Sequence, residues 1–344
     1  MHKKMLWVSN KIAAVSEPPL VGSITEERKK KIREAKRALF RGQCNCAYWH
    51  GIFGGLHINF LRHAIYSELL RAEQIADGLK HAKPNYLDLA VTDYDFDGRD
   101  ELVISTPTIS AGISPTLGGS LFEFSYRPHQ FNVQNVLRNI PESYHASSAV
   151  PHGYGGGGVA SIHERGRDLA PELAKLLRYD SIPLRSLREI VLPSDATFPA
   201  WSSGSQPLLD DFRTIEYIPH VERKSGETRV ILVGTGNVLQ VRKVLIFSPQ
   251  FPRIEVEYEV SLRGGEAVEC LFGSEWNVTL IDAHNPHKFY EASGISGESC
   301  FLDSAGVTES KEFRLVDDTL GFRLSFDFPV PTRTWRGPLF TLSH

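Results

Sequence analysis

The chain has 344 residues and a mass of 38.5 kDa, a length that suggests roughly two domains at about 150 residues each. Lys and Arg number 38 against 41 Asp and Glu, a formal charge of −3. That balance excludes a broadly basic surface for phosphate backbones, and no nucleic-acid partner is expected. No apolar run approaches the ~20 residues that span a bilayer, and the N-terminus lacks the continuous apolar core of a signal peptide, so no membrane partner is expected either. Four cysteines, Cys44, Cys46, Cys270 and Cys300, make no disulfide framework in a chain long enough to bury a core unaided. Cys44 and Cys46 have no second Cys pair or nearby His at zinc spacing, so they read as reduced, buried thiols and the expected location is cytoplasmic.

The first 84 residues read as helical. Met1, Met5, Val8, Ile12 and Val15 recur at steps of three and four, one face of a helix that Pro18 and Pro19 end. Ser23 followed by Glu26 fits a capping box for a second helix from Glu26 to about Arg41, with Ile32, Ala35 and Leu39 inward and a basic run (Lys29, Lys30, Lys31, Arg33) on a solvated face. A third helix follows Gly54-Gly55, burying Leu61, Ile65, Leu69, Ala72, Ile75 and Leu79, and Gly78 and Pro84 punctuate its end. Three amphipathic helices with short connections imply a bundle over residues 1–84.

From residue 85 the pattern changes to strands. Leu87, Leu89 and Val91 alternate with polar or small residues, and Glu101 to Ser105 and Ser120 to Tyr126 follow. Further β-branched and aromatic runs lie at 229–233, 238–247, 253–262, 267–271, 278–281, 312–316 and 321–328. Such runs between turn residues predict a large antiparallel β-sandwich over 85–344, and the fold class is α+β. A Gly-, Ser- and Pro-rich excursion is expected at 147–207, with a helix from Arg167 to Arg178. Gly155 to Gly158 within it lacks the ending of a phosphate-binding loop and reads as a flexible linker.

Three stretches carry chemical information. Arg41 to Gly55 concentrates Gly, Asn, Tyr, Trp and His between two helices. An indole face with nearby Asn and His suits a pyranose ring and its hydroxyls, whereas a buried Trp wedge with glycines for close helix packing explains the same residues. Asp93, Asp95, Asp97 and Glu101 stand at places 1, 3, 5 and 9 of a D-x-D-x-D-G-x-x-E run. Alternate oxygen ligands with a Gly turn can converge on one hard cation such as structural Ca2+, and a polar hairpin whose Asp side chains cap backbone N–H groups is the other reading. Glu275 with Trp276, and His284 with His287, raise a sugar epimerase acid/base pair as a minor reading.

Gln43 to Gly55, with Leu56 and Leu61-Arg62-His63-Ala64, closely resembles a signature of glycoside hydrolase family 57, in its 4-alpha-glucanotransferase and alpha-amylase-like members. The resemblance continues through Asp93 to Glu101, Pro115 to Glu123, Tyr126-Arg127-Pro128, Phe131-Asn132 and Phe272 to Asn277, and so covers nearly the whole chain. It implies a galactose-mutarotase-like super-sandwich after the bundle, and a parent reaction of retaining cleavage or transfer of α-1,4-glucosyl units. It also implies an N-terminal (β/α) barrel carrying a catalytic Glu and Asp. The motifs for that pair have no positions here, so no catalytic residue is assigned and the chain alone is expected to be catalytically incomplete. The expected partners are an α-glucan or maltooligosaccharide and a missing or separately encoded barrel. Trp49 matches the family's substrate-lining tryptophan, and Asn45, Tyr48 and His50 are expected beside it. Cys46 stands where the glucanotransferases have an acid, and a thiol cannot accept sugar hydrogen bonds as a carboxylate does. The alternative function is a non-catalytic carbohydrate-binding or barrel-docking module.

Overall fold

The computed structural model describes residues 1–17, 24–49, 54–141 and 178–340. His50, Ser23, Gly155 to Gly158 and all but the last residue of the helix expected at 167–178 lie outside them. Three helices come first: α1 (His2–Ser16), α2 (Glu26–Arg41) and α3 (Asn59–Lys80). The strands are β1 (Asp88–Thr92), β2 (Glu101–Ser105), β3 (Ile109–Ser114), β4 (Ser120–Tyr126), β5 (Phe131–Asn132) and β6 (Arg188–Pro193). After a short helix α4 (Phe198–Ser202) come β7 (Asp210–Asp211), β8 (Tyr217–Lys224), β9 (Glu227–Thr235), β10 (Leu239–Phe247) and β11 (Ile254–Leu262). Then follow β12 (Cys270–Glu275), β13 (Lys288–Glu291), β14 (Gly306–Asp317) and β15 (Phe322–Arg336).

Among the described residues these strands form four antiparallel sheets, ordered β1-β2-β3-β4-β5, β11-β10-β9-β8, β12-β6-β7 and β13-β14-β15. The first two face each other across one core. Leu102, Ile104, Ile109, Ala111, Ile113 and Leu121 from one sheet meet Val230, Leu232, Val241 and Leu245 from the other. These residues alternate along their strands, as a face buried on one side requires. The α+β architecture, helices followed by a sandwich, is therefore as expected.

The helices bury Val8, Ile12 and Val15 of α1 with Ala35, Ala38 and Leu39 of α2 and Ile65, Leu69, Ala72 and Ala76 of α3. The cap of α2 differs from the expected capping box: Thr25 is the N-cap, and its side chain accepts from the Arg28 N–H. Residues 188–193, inside the expected excursion, are the central strand β6 of their sheet, buried through five of six positions. A strand buried on both faces loses the alternation by which strands are read. Residues 278–281 are not a strand, because their backbone bonds leave the ladder. Thr279 N–H donates to Val133 O at 2.8 Å, and Asn59 Nδ2 donates to Leu280 O at 3.1 Å.

The outer face of the first sheet is lined by small and polar residues: Ser105, Ser110, Gly112, Glu123 and Ser125, all buried. It receives charged side chains from α1 and α3. Lys4 Nζ donates to Glu73 at 2.8 Å, Glu123 at 2.7 Å and Ser110 Oγ at 3.2 Å. Glu73 also accepts from the Trp7 indole at 3.0 Å and Lys11 at 3.1 Å. Lys11 lies 2.7 Å from Asp77, whose other oxygen accepts from Arg127 at 2.8 Å. Three cations and three carboxylates thus balance at a seam between bundle and sheet. Gly112 is required there: a Cβ would lie 2.3 Å from the Phe122 ring.

Burial opposes the ionisation of Glu73, but Lys11, Lys4 and Arg127 outweigh it and hold the carboxyl well below its ordinary 4.5. A depressed folded value contributes stability that is full above the unfolded value and is lost as pH falls toward the folded one. Burial likewise disfavours the Lys4 ammonium, yet Glu123 and Glu73 raise it above its ordinary 10.5, so its contribution is lost only on the alkaline side of that value. Urea titrations are expected to show unfolding free energy declining below pH 4.5. Glu73→Gln is expected to cost about 3–5 kcal/mol at neutral pH and to flatten that acid limb, because it leaves three buried cations against two carboxylates. Gly112→Ala is expected to cost about 1–3 kcal/mol by overpacking, with no change in the acid limb.

Candidate functional site

The segment between α2 and α3 is built from the inside outward. Gly42 closes α2, its N–H donating to Ala38 O at 2.9 Å. A Cβ there would sit 2.6 Å from Leu69 Cδ2, so only Gly allows the chain to leave α2 this close to α3. A 3-10 turn over Asn45–Ala47 buries Ala47 and leaves Asn45 and Cys46 exposed, so Cys44 and Cys46, expected as buried thiols, both lie at the surface because only Ala47 of the turn packs inward. Tyr48 follows, half-buried against the bundle core, and its hydroxyl donates to Gly42 O at 2.5 Å. Burial pushes that phenol up to about 12. Trp49 is 53 % exposed, while its carbonyl accepts from Leu56 N–H at 3.1 Å. Beneath the return of the segment, buried Arg62 donates to Leu56 O at 2.6 Å, His57 O at 3.0 Å and Asn135 Oδ1 at 3.1 Å. Burial lowers its guanidinium to about 10.

This arrangement divides the expected sugar-binding group. Tyr48 spends its hydroxyl inside the protein, whereas the buried Trp wedge that the sequence allowed is not formed, because Trp49 is exposed. Asn45 and Trp49 face solvent. Phe40, in the last turn of α2, and Phe60, in the first turn of α3, are 65 % and 57 % exposed.

The acidic segment joins β1 to β2. Asp93, Asp95 and Glu101 each bring an oxygen within 4.8 Å of the others. Asp97 does not join them: its Oδ1 accepts from Arg99 N–H at 2.8 Å, as a turn cap does. Asp93 also caps, accepting from Asp97 N–H at 3.0 Å and Gly98 N–H at 3.1 Å. Glu101 is 1 % exposed; one oxygen accepts from Tyr94 N–H at 3.0 Å, and Oε1 has no hydrogen-bond partner. Asp95 Oδ1 is likewise buried without one. Burial, together with the charges of Asp95 and Asp97, raises the Glu101 carboxyl to about 7 against the pull of the Tyr94 and Asp95 N–H groups. Asp93, Asp95 and Glu101 are therefore the residues that could together hold a hard cation, since oxygen donors of this kind are what such an ion takes.

The epimerase pair is not assembled. Glu275 is occupied by the Arg188 guanidinium and by Asn277 Nδ2 at 2.6 Å, with Arg213 at 3.6 Å. His284 is bonded to Asp303 at 2.9 Å instead.

The family model described as alpha-amylase/4-alpha-glucanotransferase, C-terminal, matches residues 93–344, and that of the middle domain matches residues 1–76. The chain belongs to the alpha-amylase/4-alpha-glucanotransferase family. Alpha-amylase 1 of Dictyoglomus thermophilum is 28% identical over 100% of this chain and 47% of its own length. The 4-alpha-glucanotransferase of Thermococcus kodakarensis is 34% identical over 100% of this chain and 45% of its own. The chain thus spans about half the length of the curated relatives it matches. The crystal structure of 4-alpha-glucanotransferase from Thermococcus litoralis superposes with a TM-score of 0.69 at 23% identity, covering 98% of this chain and 43% of that one. The shared fold is thereby shown for the bundle and the sandwich of this family member.

Sequence reasoning missed Arg62 as the support of the aromatic segment, though a charged residue beside Leu61 on an otherwise apolar helix face was the available signal. Two substitutions separate support from surface. Tyr48→Phe removes a buried donor and is expected to cost about 1 kcal/mol in urea unfolding. Trp49→Ala, at an exposed position, is expected to stay within about 0.5 kcal/mol.

Proposed function

We propose that this chain is the bundle and sandwich part of an enzyme that cleaves or transfers α-1,4-glucosyl units with retention, and that Trp49 presents its indole to the glucan. The observation that carries this reading is an exposed tryptophan on a segment whose neighbours are held from within. A half-exposed indole offers a flat apolar face to a pyranose ring. Asn45 is the polar companion within the described residues. In this reading the catalytic Glu and Asp belong to a barrel that meets the bundle end, and the chain supplied alone is silent because an oxocarbenium-like transition state needs both carboxylates.

A second reading, a non-catalytic module that docks on a separately encoded barrel, is favoured by exposed Phe40 and Phe60 at the same end of the bundle. Maltoheptaose titration followed by tryptophan fluorescence separates the two. Quenching that disappears in Trp49→Ala supports glucan contact, and an unchanged spectrum supports docking. Thin-layer chromatography of maltotriose incubated with the chain is expected to show no new oligosaccharide; a new product overturns the silence.

We propose further that Asp93, Asp95 and Glu101 hold a calcium ion in a structural role, on the strength of the two orphaned oxygens. Calcium at about 100 times its Kd is then expected to stabilise the chain by roughly 2.7 kcal/mol. Scanning calorimetry with calcium and with EGTA reads this as a raised thermal midpoint, absent in Asp95→Asn.

A further inference from the structure

The acidic segment does more than cap a turn. It is gripped by α1, an element far from it in the sequence. Lys3 donates from α1 to the backbone carbonyl of Asp95. The same ammonium lies 4.6 Å from the centre of the Phe96 ring. Trp7, one turn further along α1, packs against Tyr94 with ring centres 5.9 Å apart, and Tyr94 meets Phe122 of β4 at 5.0 Å. Residues 94, 95 and 96 of the acidic segment thus touch α1 or lie against its side chains, and the carboxylates of Asp93, Asp95 and Glu101 converge within the same segment. Phe96 holds φ +60°, a left-handed conformation that costs energy in a bulky residue and persists only where its surroundings impose it.

We infer that a divalent cation held by Asp93, Asp95 and Glu101 locks α1 onto the sandwich, so that the site couples the two parts of the chain. The inference rests on the calcium reading given above. Without a cation, the negative charges of Asp93 and Asp95, and of Glu101 when ionised, repel one another across less than 4.8 Å and disfavour this shape of the segment. With a cation the backbone of Asp95 and Phe96 is fixed in the shape that accepts Lys3. Linkage makes the effect mutual: whatever docking of α1 gives to cation affinity, cation binding gives to docking. The ionic seam through Lys4 and Lys11 continues from this grip along the same helix, so α1 is fastened at its first turn by the acidic segment and further on by Glu73 and Asp77.

The test is hydrogen exchange of the full chain, with calcium and with EGTA, beside calorimetric titration of calcium into the same preparation. The α1 amides from Met5 to Val8 are expected to exchange about 10-fold more slowly with calcium, within the usual span of coupling between sites. The α2 amides serve as the internal control and are expected to be unchanged, and Asp95→Asn is expected to abolish the α1 effect while leaving α2 exchange as it was. Calcium heat without slower α1 exchange overturns the coupling and leaves the cation site standing. Equal slowing in α1 and α2 also overturns it, because the ion then stabilises the whole fold without preference. Absence of any calcium heat removes the cation reading and this inference with it.

Discussion

Charges taken out of water between a helix and a sheet must find partners, and this requirement governs how the two parts of the chain meet. Lys4, Lys11 and Arg127 on one side of the account and Glu73, Asp77 and Glu123 on the other are nearly all hidden from solvent. An apolar seam tolerates sliding, since any apolar contact resembles its neighbour. An ionic seam does not, because a shift of one helical residue leaves ammonium and carboxylate groups buried without partners at a cost of several kcal/mol. The small residues of the outer sheet face make room for this arrangement. Ser110 adds a hydroxyl between Lys4 and Glu73, and Gly112 leaves the space that Phe122 fills.

A comparable group lies inside the sandwich. Glu189 of β6 accepts from Lys243 of β10 at 2.9 Å, from the Tyr217 hydroxyl at 2.6 Å and from the Tyr258 hydroxyl at 2.9 Å. Burial alone would favour neutral Lys243 and lowers its ammonium from the ordinary value, partly offset by Glu189. Strands from two sheets are tied through one carboxylate, which explains how β6 can follow a long Pro- and Gly-rich stretch and still hold a central place. With both interiors fixed in this way, the aromatic and acidic segments are free to be shaped by their chemistry. Arg62 and Tyr48 hold one from below, and Tyr94 and Glu101 hold the other.

The helices were legible because their apolar residues repeat every three or four positions, and α2 runs over the residues that its charge and apolar pattern mark. Strands β2 and β4 were legible through their β-branched and aromatic runs. Strand β3 was not: Ile109-Ser110-Ala111-Gly112-Ile113-Ser114 has small residues on the helix-facing side, which local propensity reads as turn. Strand β8 was missed because Pro219 interrupts it, which is permitted at the edge of its sheet. In the acidic segment the spacing marked Asp93, Asp95 and Glu101, which converge, together with Asp97, whose place in a Gly-containing turn aims it at a neighbouring N–H. In the aromatic segment the composition marked Asn45, Tyr48 and Trp49 without showing that Tyr48 is bonded inward while Asn45 and Trp49 are exposed.

The sequence by itself determined the periodicities, and through them the order of helices and strands, the family and the two segments rich in functional residue types. Periodicity is a local property, set by backbone geometry over a few residues. Only the tertiary structure decided which charges are buried, that Tyr48 turns inward while Trp49 turns out, and that α1 reaches the acidic segment. The burial of the charges and the reach of α1 depend on residues 69 to 119 positions apart meeting in space, and no local pattern carries that information.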